Sequence, residues 1–239
     1  LNPNNACNWR CIYCQVPGLK RGSAPPIDLG QLERELRGFI DTLLHGDFMR
    51  KHVPEAARRI VDIAFSGNGE PTSAREFPDA IELAGRVVRD TGLEGKVKIR
   101  VITNGSLLGR KRVQQGLRRL GELGGEAWFK VDAGSAEGYR RINGVEISPE
   151  SVARNLHRCA QLCSTWVQTC LFALDGTSPG DEEVQAYLDV LERAGSANLS
   201  GVHLYGLARP SLQPEAERLS RLPQDRLEAI AARIRALGL

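Results

Sequence analysis

Residues 5–18 read NACNWRCIYCQVPG and place Cys7, Cys11 and Cys14 within eight positions, with three and then two residues between them. The next cysteine is Cys159. Thiolate sulfur is a soft donor that selects zinc or iron–sulfur clusters. Structural zinc takes four ligands, and His45, His52 or Cys159 would supply the fourth only without the usual short second pair. Positions i, i+4 and i+7 also share a helix face, so three buried core cysteines fit the spacing too. The turn formers of NPNNACN and the following Pro17-Gly18 instead read as a loop. A 4Fe-4S cube normally takes four thiolates, one per iron. Three would leave one iron corner open to bind and activate a small molecule.

The elements that must position this loop alternate between two periodicities. Asp28 reads as an N-cap with Gln31 as its capping-box partner. Leu29, Leu32, Leu36, Phe39, Ile40, Leu43 and Leu44 form one apolar stripe behind it. Strands are predicted over 60–66, 97–103, 127–131, 166–174 and 201–205. Helices are predicted over 78–91, around Val113–Leu123, from Ser148-Pro149, from Ser178-Pro179 to Gly195, and over 223–237. Such alternation means a parallel sheet or barrel. The expected fold is α/β, a partial (β/α)6 TIM-like barrel of parallel strands in a single domain, 1–239. Its sixth strand is expected just before or at Leu1, because the first helix precedes every visible strand. The unusual residues fall just after strands: GNGEPT (67–72), TNG (103–105), KVDAG (130–134), LDG (174–176) and LYGLARP (204–210). Strand ends at the C-terminal face carry the active site in parallel barrels, although Gly, Asn and Pro there also simply make turns.

Composition excludes little but sets the class. The chain has 239 residues, 41% hydrophobic and 26% charged, ordinary for a globular protein. No run approaches the ~18 apolar residues of a membrane span. Residue 1 is Leu rather than Met, so the native start is expected upstream. The net charge of +3, from 32 basic and 29 acidic residues, is too mild to argue for nucleic acid. Lys20-Arg21, Arg110-Lys111-Arg112, Arg118-Arg119 and Arg140-Arg141 read as solvated faces. Six cysteines without an export signal point to a reducing compartment and to metal or catalytic use.

Cys7-xxx-Cys11-xx-Cys14, with Tyr13 before the third cysteine, resembles the signature of the radical S-adenosylmethionine (SAM) enzymes. FSGNGEPT, TNG, VDAG with RIN behind it, and ARP after the last strand resemble the subgroup related to the wyosine-base-forming tRNA enzymes. The resemblance runs over nearly the whole chain. It implies a 4Fe-4S cluster on Cys7, Cys11 and Cys14 at the C-terminal face of the strands, with SAM chelating the open iron. Reductive cleavage of SAM would give methionine and a 5′-deoxyadenosyl radical that abstracts hydrogen from a substrate. It further implies that Tyr13 packs near the adenine and that Gly67, Gly69 and Glu70 hold the methionine amino group. Asn68 stands where many relatives have another glycine. Asn104 and Asp132 are candidates for polar contacts to SAM. Lys130, where the subgroup often has Ser, meets the SAM carboxylate or faces solvent. Arg209 reaches the adenine, the substrate or a surface carboxylate.

Val152, Leu156, Cys159 and Cys163 follow one helical seam, so burial accounts for Cys159 and Cys163, while Cys170 lies mid-strand. An auxiliary cluster on these three stays open, and His157 and His203 read as core or surface residues. Tyr205 is a further pocket candidate. The rival reading is a non-enzymatic zinc- or iron–sulfur-bearing RNA-binding module. Within the enzyme reading the substrate, an RNA base, a small molecule or a peptide, is open. The electron is expected from a flavodoxin or ferredoxin and the setting is expected to be cytoplasmic.

Overall fold

Along each central strand, alternate side chains go to opposite faces, and this divides the molecule into a helix-covered outside and a concave inside. The computed structural model describes residues 1–239. In chain order it contains β1 (Ala6–Cys7), β2 (Lys20–Arg21), α1 (Leu29–Leu44), α2 (Phe48–His52), β3 (Asp62–Phe65), α3 (Phe77–Asp90), β4 (Lys98–Thr103) and α4 (Lys111–Glu122). There follow β5 (Glu126–Lys130), α5 (Ala136–Asn143), α6 (Pro149–Ala160), β6 (Ser164–Cys170), β7 (Ala173–Leu174), α7 (Asp181–Ala194), β8 (Gly201–Tyr205), β9 (Leu219–Ser220) and α8 (Gln224–Arg235). The strands β3-β4-β5-β6-β8 form one parallel five-stranded sheet. This is an α/β fold of the partial-barrel kind.

Ile99, Val101, Ala127, Phe129 and Val167 are buried on the outer face, where α3, α4 and α6 cover them. Leu117, Leu120, Phe77 and Ile81 complete that layer with no solvent exposure. The inner face carries larger and more polar residues. Arg100 ion-pairs with Asp62 and with Glu126, at 2.6 Å for the latter, and lies 4.9 Å from the Trp128 ring centroid. His203 is sandwiched between Trp166, stacked at 4.6 Å, and Trp128 at 4.5 Å. These groups fill the floor of the half-barrel, so His203 points inward and its buried Nε2 has no partner.

Several expectations are corrected. The central sheet has five strands, not six. Ala6–Cys7 joins no strand of it and pairs instead with Lys20–Arg21 in a separate parallel ladder. The strand expected over 166–174 breaks after Cys170, and Ala173–Leu174 turns out to pair antiparallel with β9. Helix α7 begins at Asp181 behind Gly180, not at Ser178-Pro179. Asp28 does cap α1 through the Gln31 N–H at 2.9 Å, but the Gln31 side chain turns to Glu35 rather than back to the cap. The α1 stripe is only partly covered by α3: Ile40 is buried while Phe39 is 53% exposed. Helices α2 and α5 escape the periodicity reading altogether.

Candidate active site

The C-terminal ends of the sheet strands and the loop 5–18 enclose a cavity of about 580 Å3. Cys7, Cys11, Tyr13, Cys14, Gly67, Gly69, Glu70, Asn104, Lys130 and Arg209 all line it. Of the site residues expected from sequence, only Asp132 stands behind the wall. All three thiols are free and partly exposed. No group of three His, Cys, Asp or Glu side chains converges to hold a single metal ion. Three thiols spread around one cavity suit a polynuclear cluster, in which each sulfur meets a different iron. The Trp9 backbone N–H donates to Cys7 Sγ at 3.4 Å and the Asn143 amide to Cys11 Sγ at 3.2 Å, and such donors favour thiolate. Burial pushes the bare Cys7 thiol up to about 11 and that of Cys11 to about 12. A coordinating cation reverses that cost, because a ligating thiol is deprotonated outright.

Four strand-end loops hold the cysteine segment in place. From the β3 loop comes Glu70, 2% exposed. Its Oε1 accepts the Thr72 N–H (3.1 Å), the Thr72 hydroxyl (2.6 Å) and the Thr103 hydroxyl (2.6 Å), and its Oε2 accepts the Asn104 N–H (2.7 Å). Burial raises the Glu70 pKa and these four donors oppose the rise. The carboxylate is therefore occupied in riveting the β3 and β4 loops together. Gly69 passes so close to the cysteine segment that a Cβ built on it would collide with the Ala6 carbonyl oxygen.

From the β4 loop, Asn104 donates to Asn8 Oδ1 at 2.9 Å and accepts from Ser106. From the β5 loop, Asp132 has a fully buried side chain that accepts the Tyr13 hydroxyl (2.5 Å), the Asn143 amide (2.9 Å) and the Cys170 N–H (3.2 Å). Asn143 ends α5, where Gly144 takes the left-handed conformation at φ 64° and caps the helix. Its carbonyl also receives the Arg10 N–H at 2.9 Å, and its Oδ1 is buried without a partner. After β8, Ser211 and Gln213 reach back across the loop. The Ser211 hydroxyl donates to the Ile12 carbonyl at 2.7 Å, and the Gln213 amide to the Cys14 and Val16 carbonyls at 3.1 and 2.9 Å.

The groups that keep hydrogen-bonding capacity toward the cavity are fewer. Lys130 Nζ stands 3.6 Å from Asp132 Oδ1, 3.4 Å from the Tyr205 hydroxyl and 5.0 Å from the Tyr13 ring centroid. Burial works against its charge, but Asp132, with Tyr205 and Cys11, holds its pKa above the ordinary lysine value. Gln168 lines the wall with its side-chain amide unbonded. Arg209 is exposed at the rim, and its carbonyl accepts from Gln15 at 3.3 Å. The remaining cysteines divide. Cys170 lines the cavity, whereas Cys159 and Cys163 lie on the opposite face of β6 with Thr165, whose hydroxyl donates to Cys159 Sγ at 3.5 Å. The three cannot meet at one auxiliary centre. His157 is tied to the Ala194 carbonyl at 3.0 Å, outside the cavity.

Asn8, Asn143, Gln168, Ser211 and Gln213 were not singled out by sequence reasoning. Only Asn143 carried a signal, as the last letter of RIN.

Three solved structures share the fold. A structure of TYW1 with a lysine-pyruvate adduct bound matches with a TM-score of 0.63 and 19% identity over 95% of this chain and 69% of that one. A radical SAM methyltransferase from Sphaerobacter thermophilus matches with a TM-score of 0.61 and 17% identity over 98% and 63%. The protein anSMEcpe with bound AdoMet matches with a TM-score of 0.54 and 16% identity over 86% and 50%. The chain thus spans about half to two thirds of the length of the latter two. A search of curated proteins gave no match. No helix is long and apolar enough to cross a membrane. A family model for the Radical SAM superfamily matches residues 1–191, four fifths of the chain and every element that builds the cavity wall up to β6, and the chain belongs to that family of enzymes.

Proposed function

We propose that this enzyme holds a 4Fe-4S cluster on Cys7, Cys11 and Cys14, binds SAM beside it, and abstracts a hydrogen atom from a substrate in the same cavity. The observation that carries the reading is the placement of the three thiols opposite the strand-end loops around one cavity of about 580 Å3. The cluster and SAM supply the chemistry: a one-electron cleavage of the sulfonium that yields methionine and a hydrogen-abstracting radical. The chain supplies position and charge. The Gly67–Gly69 backbone takes the methionine amino group, and the Lys130 ammonium meets the carboxylate. Lys130 is the amine on the cavity wall, and Asp132 beside it favours the charged form over the neutral amine that an imine with a carbonyl compound would need. Tyr13 packs against the adenine, and Arg209 serves the adenine or the substrate from the rim. Glu70, Asn104 and Asp132 act at one remove: the Asn104 and Asp132 side chains are engaged in fixing the cysteine loop, and the Glu70 carboxylate in tying the β3 and β4 loops together.

Gln168 and Tyr205 face the space left for the substrate, which is an RNA base, a small molecule or a peptide. The electron comes from a flavodoxin or ferredoxin, and residues 1–239 form a single catalytic domain in a reducing cytoplasmic setting. The test is anaerobic reconstitution with iron and sulfide, reduction with dithionite, and quantitation of 5′-deoxyadenosine. About four irons per chain with 5′-deoxyadenosine formation is the expected result. Iron-loaded protein that never cleaves SAM would leave a binding role only, and colourless protein with one zinc would favour the RNA-binding module.

A further inference from the structure

We infer that the exposed face made by the strap Lys20–Ala24 and the loop Ser106–Arg112 docks an acidic electron-carrier protein, which delivers its electron from the Cys7 side. The inference rests on the cluster reading above. Residues 1–27 contain no Asp or Glu, and neither do residues 95–121. The fold brings these two acid-free stretches together. Strand β2 pairs with β1 so that Lys20 stands opposite Ala6 and Arg21 opposite Cys7. The Arg21 guanidinium donates to the carbonyls of Asn8 (3.2 Å) and Gly144, and the Asn8 amide donates in turn to Ser106 Oγ at 2.7 Å. Farther along the strap, the Ala24 N–H donates to Ser73 Oγ at 2.9 Å, and Arg112 donates to the Ser73 carbonyl at 3.2 Å. The strap and the loop are therefore tied side by side at both ends.

On this face Lys20, Arg21, Arg110 and Lys111 are exposed, and none forms an ion pair. Elsewhere Arg37, Arg119, Arg140 and Arg218 are all neutralised by carboxylates. Exposed cations without an ion pair also stand elsewhere, among them Arg50, Arg58, Arg59 and Arg141, but this face differs in that neither of the two stretches that form it supplies a carboxylate. Such a face attracts acidic partners and raises the rate of encounter. RNA would be attracted as well, but a base must reach the cavity, and none of the four cations lines it. Of the four, Arg21 stands directly across the ladder from Cys7, and Lys20 is its neighbour opposite Ala6. The transfer moves one electron and no atoms: the carrier is oxidised by one electron and the cluster reduced by one.

The test uses the reconstituted holoenzyme and the triple variant Lys20→Glu, Arg110→Glu, Lys111→Glu, which spares Arg21 and every cavity residue. Binding of oxidised flavodoxin is measured by titration calorimetry at low salt. SAM cleavage is measured with reduced flavodoxin and, separately, with dithionite. The Kd and KM for flavodoxin are expected to rise about tenfold or more and to lose most of their salt dependence, as steering charges do. The dithionite-driven rate is expected to stay within about twofold of wild type, which also shows that the variant is folded. Unchanged flavodoxin Kd and KM would overturn the inference. So would loss of bulk tRNA binding in the variant at unchanged flavodoxin affinity, which would assign the face to nucleic acid. Wild-type protein that fails to cleave SAM even with dithionite would instead sink the cluster reading itself.

Discussion

Glu70 offers the sharpest check on the idea that polar side chains here act as rivets. Its carboxylate receives two backbone N–H groups, from Thr72 and Asn104, and two hydroxyls, from Thr72 and Thr103. Glu70→Gln keeps the shape but makes one oxygen an NH2. Whichever way the amide turns, one buried N–H then faces another donor. Leaving one buried donor unsatisfied costs about 1–3 kcal/mol, so about 2 kcal/mol is expected for Gln. Glu70→Leu orphans both N–H groups and should cost about 4 kcal/mol on the same scale. For a domain of this size 1 kcal/mol moves Tm by about 2–4 °C, so Glu70→Gln should lower Tm by about 4–8 °C in differential scanning calorimetry. Relief of the buried charge works the other way, and the Gln-to-Leu gradient separates the two effects. Thr103→Val removes the hydroxyl that donates to Glu70 and accepts the Gly105 N–H, and in a double-mutant cycle with Glu70→Gln the cost of the double variant should fall below the sum of the singles, because the two share a bond. A Glu70→Gln variant within about 0.5 kcal/mol of wild type, or strict additivity with Thr103→Val, would refute the rivet and with it the placement of the loops 67–70 and 103–106.

Gly69→Ala drives a methyl group into the Ala6 carbonyl oxygen, so the Cys7 segment must move; the expected outcome is a fall of about tenfold or more in 5′-deoxyadenosine formation, with iron per chain measured alongside. Asn143→Ala removes the donor to Cys11 Sγ and to Asp132, and iron release to a chelator should speed up about tenfold, an effect that Asn143→Asp should not rescue, since a carboxylate cannot donate. His203 is held below the usual histidine pKa by burial. Its neutral form therefore contributes stability that is present above the unfolded value near pH 6.5 and is lost as pH falls below it. Tm measured from pH 8 to 5 should drop less steeply in His203→Phe, which keeps the aromatic stack.

The strands and their end loops were legible because two local signals coincide. Alternation such as Val97, Ile99 and Val101 marks a half-covered strand, and Gly, Asn and Pro mark where it stops. The cysteine loop was legible for the same reason, since its spacing is local. Where the reading failed, the deciding contact was distant. The stripe on α1 looked like core, but a stripe does not say how much of itself a neighbour will cover, and Phe39 stays in solvent. The run 166–174 looked continuous because nothing in it names Leu219 and Ser220 as the partners of its last residues. Helix α5, eight residues long, is too short and too polar for a periodicity signal.

The site residues that the sequence singles out line one cavity, Asp132 excepted, but spacing alone does not say what each of them touches there. A carboxylate or amide beside a ligand cavity invites the assumption that it touches the ligand. In this fold the cysteine loop has almost no regular structure of its own, only the two-residue ladder with Lys20–Arg21. Its backbone carbonyls and side chains still need partners when buried. They find them in Asn104, Asp132, Asn143, Ser211 and Gln213, up to 199 residues away in the chain. The polar groups at the strand ends are therefore mostly consumed in holding the thiols. Lys130, Gln168 and Arg209 remain as the groups with charge or hydrogen bonds still to give. Differences in substrate among enzymes that share this loop would then be written in such unspent residues on the strands, while the riveted set sets only where the radical is born.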